Sequence, residues 1–124
     1  NLPKIVVDRI MIEQVLLNLV KNGIEAMQDT PVERRHLDIS AHQIDARWLQ
    51  VEITDQGHGL PEQDVEKIFA PFYTTKPEGM GIGLAICRSI IEFHQGRLWV
   101  EPGREGGTRF RFTVPTENEE EEDE

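Results

Sequence analysis

Paired strand-like segments set the strongest constraint on the fold of this chain. Apolar and polar residues alternate in residues 37–41 and 48–55, as they do in half-buried strands that pair as a hairpin. Residues 97–101 and 108–114 form a second pair of predicted strands, joined through Pro102-Gly103 and Gly106-Gly107. Because local hairpins alternate with helical segments, we predict an α+β two-layer sandwich.

The helical segments have recognisable ends. A short apolar run at residues 4–8 predicts a strand or an extended segment, and Asp8 is a candidate N-cap for a long helix over residues 9–28. A short helix is predicted from Leu60-Pro61 to about Phe69, followed by an irregular stretch to residue 83. A further helix is predicted at about residues 82–94, and Gly96 is the expected left-handed cap. The apolar stripe of the first helix consists of Ile12, Leu16, Leu19, Gly23 and Met27.

Length and charge bound the possible functions. The 124 residues suit one domain, which we assign to residues 1–115. The net charge of −10 argues against a nucleic-acid binder, whose affinity comes largely from Lys and Arg. Seven of the 23 carboxylates fall in the last eight residues, so we expect residues 116–124 to form a disordered acidic tail, with a regulatory or partner-contacting role as the alternative.

The single cysteine, Cys87, excludes an internal disulfide and any CxxC motif. Its apolar neighbours indicate a buried packing thiol rather than a nucleophile. No apolar run approaches the ~18 residues that span a bilayer, and no signal peptide opens the chain. We therefore expect a cytoplasmic domain without direct membrane contact. Because the chain begins with Asn1 rather than Met, we also expect a piece of a longer protein.

Two asparagines form the first feature that indicates chemistry. In Asn18-Leu-Val-Lys-Asn22 the amides are four residues apart, on one helix face beside the apolar stripe. One interpretation is a polar face in contact with solvent. The other is a pair of neutral oxygen ligands suited to hydrated Mg²⁺ and the phosphates of a nucleotide.

Two glycine-rich segments are the other such features. Asp55-Gln-Gly-His-Gly59 follows a strand, where a carboxylate can accept a hydrogen bond from an exocyclic amine and glycines allow close approach to a flat ring. A plain turn is the alternative. Gly79-Met-Gly-Ile-Gly83 leads into a helix, so its backbone N–H groups and the helix dipole suit phosphate, with Lys76 nearby as a positive charge.

Together, and in this order, these features resemble the ATP-binding domain of sensor histidine kinases. That domain has the Bergerat fold, which is shared with DNA gyrase, a heat-shock chaperone family and mismatch-repair ATPases. The resemblance covers about residues 5–115 and implies a mixed, mostly antiparallel sheet of about five strands on about three helices, with an ATP lid. The matching segments are residues 14–27 (N box), 55–59 (first glycine box), 69–72 (F box), 79–83 (second glycine box) and 106–108 (the glycine-threonine turn).

The resemblance implies ATP and Mg²⁺ as cofactors and assigns the phosphate end of the site. Asn22 corresponds to the Mg²⁺ ligand, Asn18 faces the phosphates, and Lys76 in the lid reaches the γ-phosphate. These three are the candidate catalytic residues. Phe69 and Phe72 begin the lid. The triphosphate is expected at Gly79, Gly81, Gly83 and Leu84, at the start of the following helix.

The adenine end is assigned in the same way. Asp55 is expected to accept the adenine amino group, with Thr108 helping through water, and Gly57 and Gly59 shape the pocket. Two positions depart from the family pattern. Met80 stands where Thr or Ser is commoner, and Gly23 replaces the usual Ala at a helix cost of ~1 kcal/mol.

The implied activity is donation of the γ-phosphoryl group to a histidine on a separate dimerisation domain, with a response regulator as an indirect partner. None of the four histidines lies on a helix before this domain, so we expect that acceptor to lie outside the chain. A hydrolytic ATPase, a Ser/Thr kinase of the anti-sigma type and a binding module without catalysis are the alternatives. Hydrolytic relatives carry a general-base Glu where this chain has Asn18, and the binding module is disfavoured because every nucleotide motif is present.

Overall fold

The computed structural model describes residues 5–57, 59, 67–69, 83–103 and 106–117. These residues form two α-helices and four strands, with short 3-10 turns at Val32–Arg34 and Lys67–Phe69. The helices and strands are α1 (Arg9–Ala26), β1 (Leu37–Gln43), β2 (Trp48–Asp55), α2 (Gly83–Phe93), β3 (Leu98–Pro102) and β4 (Thr108–Pro115).

The four strands form one sheet in the order β1-β2-β4-β3, and every pair is antiparallel. Both predicted hairpins are present, and β4 joins them by pairing with β2, for example at Phe110 opposite Ile53. The helices cover one face, so the α+β two-layer prediction is confirmed. The core between the layers includes Ile12, Val15, Leu19, Leu49, Ile53, Cys87, Ile91, Leu98, Val100, Phe110, Phe112 and Val114.

Two details of the predicted architecture differ in the described residues, and a third falls mostly outside them. The described part of the chain has four strands and two α-helices, one fewer of each than predicted, and its sheet is antiparallel rather than mixed. The described part of the segment predicted as a strand or extended makes a single bridge, Ile5 with Thr116, and Asp8 at its end already caps α1. The helix predicted from residue 60 lies outside the described residues except for the 3-10 turn that ends at Phe69.

The fold also includes Thr116, which the sequence analysis placed in the tail. Its side chain is buried and its hydroxyl donates to the carbonyl oxygen of Ala46 at 2.8 Å. Its backbone N–H donates to the carbonyl oxygen of Arg47 at 2.8 Å. The ordered end of the domain therefore extends past residue 115.

Among the described residues, the opposite face of the sheet carries charged side chains rather than a second helical layer. Arg111 Nε lies 3.0 Å from Glu52 Oε2, and Arg111 Nη1 lies 3.1 Å from Glu101. Arg109 Nε lies 3.3 Å from Glu52 Oε1. These residues alternate along their strands with the apolar ones that face the helices, which explains why one face alone forms the core. Within the described chain neither helix is both long and apolar enough to cross a membrane.

Asp8 begins α1 as predicted, because its Oδ1 accepts from the backbone N–H of Met11 at 3.0 Å. The helix ends at Ala26, two residues before the predicted end. Val15 is fully buried although it lies outside the predicted stripe. It is covered because α2 packs along that flank, with the Cys87 thiol 3.9 Å from the Val15 carbonyl oxygen.

The helices run antiparallel, and His94 joins the end of α2 to the start of α1. The backbone N–H of Asp8 donates to His94 Nε2 at 2.9 Å, while Nδ1 lies 2.8 Å from the carbonyl oxygen of Ile90. A backbone N–H can only donate, so Nε2 is the acceptor and the proton sits on Nδ1, which donates to Ile90. Both ring nitrogens therefore take part in the contact between the helices.

We expect the substitution His94→Leu to lower the free energy of unfolding by about 1–3 kcal/mol, because the Asp8 N–H loses its acceptor. Urea denaturation measures this difference. The matched control is His42→Leu on the exposed side of β1, which should change stability by less than about 0.5 kcal/mol. Equal effects of the two substitutions would contradict the role given to His94.

The end of α2 corrects the prediction for Gly96. The left-handed residue is Gln95, with φ 67°, and the Gln95 and Gly96 N–H groups donate at 2.9 Å to the carbonyl oxygens of Glu92 and Ile91, respectively. This pattern is the Schellman motif. Gly96 is required for a different reason, since a Cβ there would overlap the carbonyl oxygen of Thr113 on β4.

Candidate nucleotide site

Asp55 lies at the end of β2, under the helices. It follows Leu49, Val51 and Ile53 on the helix-facing side of the strand, and it is only 2% exposed. Its Oδ1 accepts from the backbone N–H of Gly57 at 2.8 Å and from that of Thr108 at 3.3 Å. Thr108 begins β4, so the pairing of β2 with β4 brings together the two residues predicted to lie at the adenine end.

Close backbone contacts surround Asp55, and they require glycine. A Cβ on Gly107 would overlap the carbonyl oxygen of Asp55, and a Cβ on Gly57 would overlap that of Ala26. Gly59 has φ 78°, and a Cβ there would overlap the carbonyl oxygen of Gly106. The first glycine box therefore packs against both the end of α1 and the turn before β4. The sequence analysis gave no separate role to Gly107, which makes the closest of these contacts.

The contact of Gly23 with Asp55 gives a packing reason for a glycine in the middle of a helix. A Cβ on Gly23 would lie 2.7 Å from Leu37 Cδ1, 3.5 Å from Asp55 Cβ and 3.7 Å from Asp55 Oδ2. The helix thus approaches the carboxylate closely. Asn22, the residue just before Gly23 in α1, is half-buried. The departure from the family pattern at Gly23 is therefore consistent with close packing of α1 against β2.

Asn18 lies at the other end of the same helix face, beside the first residue of α2. A Cβ on Gly83 would lie 3.9 Å from both Cγ and Oδ1 of Asn18. The Cys87 thiol lies one turn further along α2, 3.9 Å from the carbonyl oxygen of Val15. Burial raises the pKa of Cys87 to about 11, an effect that the Asn18 side chain partly offsets. The thiol is therefore protonated at neutral pH, as expected for a packing cysteine.

The surface from Asp55 along α1 to the start of α2, called the cleft below, has two chemically different ends. At one end the start of α2, at Gly83 and Leu84, presents backbone N–H groups that have no partner within the helix and the positive end of its dipole, which suit an anion. At the other end the Asp55 carboxylate can only accept hydrogen bonds. The Asn18–Asn22 face of α1 connects the two. The other predicted site residues, Phe72, Lys76, Gly79 and Gly81, lie outside the described residues.

A separate cavity of about 790 Å³ lies beside Gly57. Of the described residues, neither Asn18 nor Asp55 lines it. Its walls combine acidic and basic side chains, which single out no ligand class. The lining residues are Ala26, Asp29, Thr30, Pro31, Glu33, Arg34, His36, Asp38, Gln56 and Gly57.

The comparison with known families identifies the family of the chain. Residues 7–118 match the family described as histidine kinase-, DNA gyrase B- and HSP90-like ATPase. The chain belongs to this family of ATPases. The resemblance found in the sequence is therefore confirmed over nearly the whole domain.

Similar proteins narrow the family to its kinase branch. The chain is 43% identical over 115 residues to the sensor protein FixL of Bradyrhizobium diazoefficiens, covering 93% of this chain and 22% of that protein. The nucleotide-free catalytic domain of histidine kinase ThkA superposes with a TM-score of 0.77 at 43% identity, covering 89% of this chain and 69% of that one.

A second similar structure is that of full-length ShkA in complex with AMPPNP. It superposes with a TM-score of 0.81 at 27% identity, and the match covers 94% of this chain and 24% of ShkA. The chain thus spans only 18–22% of the length of the first three curated sensor proteins that it matches. The similarity therefore covers only part of each of those proteins.

Proposed function

We propose that this chain binds ATP with Mg²⁺ and donates the γ-phosphoryl group to a histidine on a separate dimerisation domain of a two-component sensor kinase. The observation that carries the proposal is the buried Asp55 carboxylate, held by the N–H groups of Gly57 and Thr108. An acceptor-only group suits the amino group of adenine. Membership in the ATPase family and similarity to sensor kinases support the same assignment.

The remaining roles are assigned first at the phosphate end of the cleft and then at the adenine end. The start of α2, with Gly83 and Leu84, would hold the phosphates through backbone N–H groups, together with Gly79 and Gly81 of the preceding loop. Gly57 and Gly59 would shape the adenine pocket, and Thr108 would contact the base through water. Phe72 and Lys76 belong to the proposed lid, from which Lys76 would reach the γ-phosphate.

The residues at the phosphate end fit a magnesium ion. Amide oxygens are hard donors, and Mg²⁺ usually keeps several waters and takes further ligands from phosphate oxygens. The described residues contain no group of three His, Cys, Asp or Glu side chains that could hold a metal. By its resemblance to the family, Asn22 is the proposed protein ligand, with Asn18 facing the phosphates, and the bound ion would supply neutralisation of phosphate charge.

The identity of Asn18 favours a kinase over a hydrolytic ATPase. Hydrolysis needs a group that activates or orients water, and gyrase-like relatives have a Glu at this position. An amide beside the first turn of α2 is no base. Bound ATP should therefore stay largely intact until a phosphoacceptor is presented. The proposed partners are the dimerisation domain of the parent kinase and, indirectly, a response regulator, in a cytoplasmic setting where ATP is present and Cys87 stays reduced.

The test combines two measurements on the purified chain with γ-labelled ATP. We expect very slow phosphate release and no self-labelling, whereas addition of the dimerisation domain of the parent kinase should give an acid-labile label on a histidine of that domain. Asn22→Ala should remove the transfer, since it removes the proposed metal ligand. Brisk hydrolysis by the lone domain would instead indicate an ATPase, and an acid-stable label on the partner would indicate a Ser/Thr kinase.

A further inference from the structure

The outer face of α1 carries a stripe of exposed apolar side chains. Ile10, Leu17 and Ile24 are 78%, 64% and 58% exposed, respectively. They are seven residues apart, so two turns of helix separate each from the next and all three lie on one side of α1. The side of α1 that faces the core is formed by other residues, among them Val15 and Leu19. A spacing of seven residues is the repeat of helices that pack side by side, and the core of this domain does not use the stripe.

The charges beside the stripe are arranged symmetrically about its centre. Glu13 and Lys21 are both exposed, and each lies four residues from Leu17, one before it and one after it. Four residues of helix also place each of them within about 40° of Leu17 around the helix axis. Each half of the stripe therefore carries one apolar residue and one charge, and the charges of the two halves are opposite.

This arrangement is complementary to itself when two copies of α1 lie antiparallel. With Leu17 opposite Leu17, residues at equal distances before and after it lie at the same height along the pair. Glu13 of one copy is then level with Lys21 of the other, and Ile10 is level with Ile24. A parallel pair would instead place Glu13 opposite Glu13 and Lys21 opposite Lys21. The charge pattern thus favours the antiparallel pair and opposes the parallel one.

An ion pair within the helix does not prevent this contact. Arg9 Nε lies 3.3 Å from Glu13 Oε2, but the two side chains are 88% and 61% exposed. An ion pair as exposed as this one contributes little to stability. The carboxylate also has two oxygens, so Glu13 can accept from Lys21 of a second copy without losing Arg9.

We propose that the stripe face of α1, which consists of Ile10, Glu13, Leu17, Lys21 and Ile24, binds a second copy of this chain as an antiparallel, two-fold symmetric pair of helices. Three apolar side chains per copy cover much less than the ~800 Å² per partner of a standard interface. The dimer is therefore weak, with a dissociation constant on the order of 100 µM. The inference does not depend on the proposed function.

The pairing has a consequence for the two clefts of the dimer. Asn18 and Asn22 lie about 100° and 140° around α1 from Leu17, which places them outside the contact between the helices. The two-fold axis of an antiparallel pair runs across both helices, so it keeps a given flank of each helix on the same side of the pair. The asparagine faces of the two copies therefore open toward the same side of the dimer.

The first test is the oligomeric state of the purified chain, measured by sedimentation equilibrium at low salt and at concentrations up to about 1 mM. Leu17→Ser should weaken the dimer at least about tenfold, because it removes the apolar contact at the two-fold axis from both copies. The matched control is Ile39→Ser, which makes a similar change at an exposed position of the edge strand β1 and should have no effect. Urea denaturation checks that each variant is folded.

The second test uses charge reversal to identify the partner and the orientation of the helices. Glu13→Lys alone and Lys21→Glu alone should each weaken the dimer about threefold to tenfold, because each dimer contains two of these pairs. An equimolar mixture of the two variants should dimerise within about twofold of the wild type, since every pair across the mixed interface again joins opposite charges. Both variants keep a net negative charge, so attraction between their overall charges does not account for this recovery.

Three results would overturn the inference. The wild type could remain monomeric at the highest concentration, Ile39→Ser could disrupt the dimer as much as Leu17→Ser does, or the mixture could dimerise no better than either charge variant alone. Loss of the effect of charge reversal at about 1 M salt, where charges are screened within ~3 Å, would support it. Failure of the chain to bind ADP would refute the proposed function and leave this interface unaffected.

Discussion

Substitution of Asp55 by Asn should weaken the binding of ADP at least about tenfold while the domain stays folded. The amide oxygen of Asn can still accept from the N–H groups of Gly57 and Thr108, so the local structure is retained. Its NH₂ group replaces an acceptor with a donor, which would face the amino group of adenine. A donor opposed to a donor in a buried position costs about 1–3 kcal/mol. Calorimetric titration with ADP measures the loss.

Two comparisons make the Asp55 result specific. Asp38→Asn is the matched control, because it makes the same chemical change at an exposed position of β1 and should leave the affinity unchanged. Inosine diphosphate carries a carbonyl oxygen in place of the adenine amine, and a donor amide suits that oxygen. Asp55→Asn should therefore reduce binding of ADP more than binding of inosine diphosphate. Equal affinity of wild type and Asp55→Asn for ADP would remove the adenine assignment.

The second large effect is expected for Gly107→Ala, on folding rather than on binding alone. A Cβ on Gly107 would overlap the carbonyl oxygen of Asp55, and both groups belong to the backbone, so no side-chain rotation can relieve the contact. The turn before β4 would have to move away from β2. We expect a loss of about 2–4 kcal/mol in the free energy of unfolding, measured in urea.

Gly83→Ala is the stability control for Gly107→Ala. Its Cβ would have ordinary contacts, with the nearest atoms of Asn18 at 3.9 Å. Alanine is also the better helix former at the start of α2. The stability of Gly83→Ala should therefore match or exceed that of the wild type. Comparable losses at the two glycines would show that the contact with Asp55 is not what makes Gly107 necessary.

The features that the sequence predicted well depend on local patterns. Alternation along β2 predicted both the strand and the side on which Asp55 lies, because side-chain direction in a strand follows position alone. The capping of α1 by Asp8 needs only the N–H of Met11, three residues away. The hairpin of β1 and β2 joins segments that are neighbours in the chain.

The features that sequence reasoning missed depend on contacts between distant segments. Val15 is an exception, because its spacing of three residues from Ile12 and four from Leu19 already places it on the apolar face of α1, although the predicted stripe left it out. Gln95 takes the left-handed conformation, whereas Gly96 is required because β4 leaves no room for a side chain at that position. Gly107 contacts Asp55 only because β2 and β4 are neighbours, and the order of strands in a sheet is not written in their local patterns.

Both ends of the cleft lie along one helix, so the geometry of α1 fixes the axial distance between them. Asn18 marks the end near α2 and Gly23 marks the end near Asp55. Five residues of helix separate them, a rise of about 7.5 Å that no change in a surrounding loop can alter. Only a change within α1 itself, such as a bend or an inserted residue, would alter the axial spacing between these two positions.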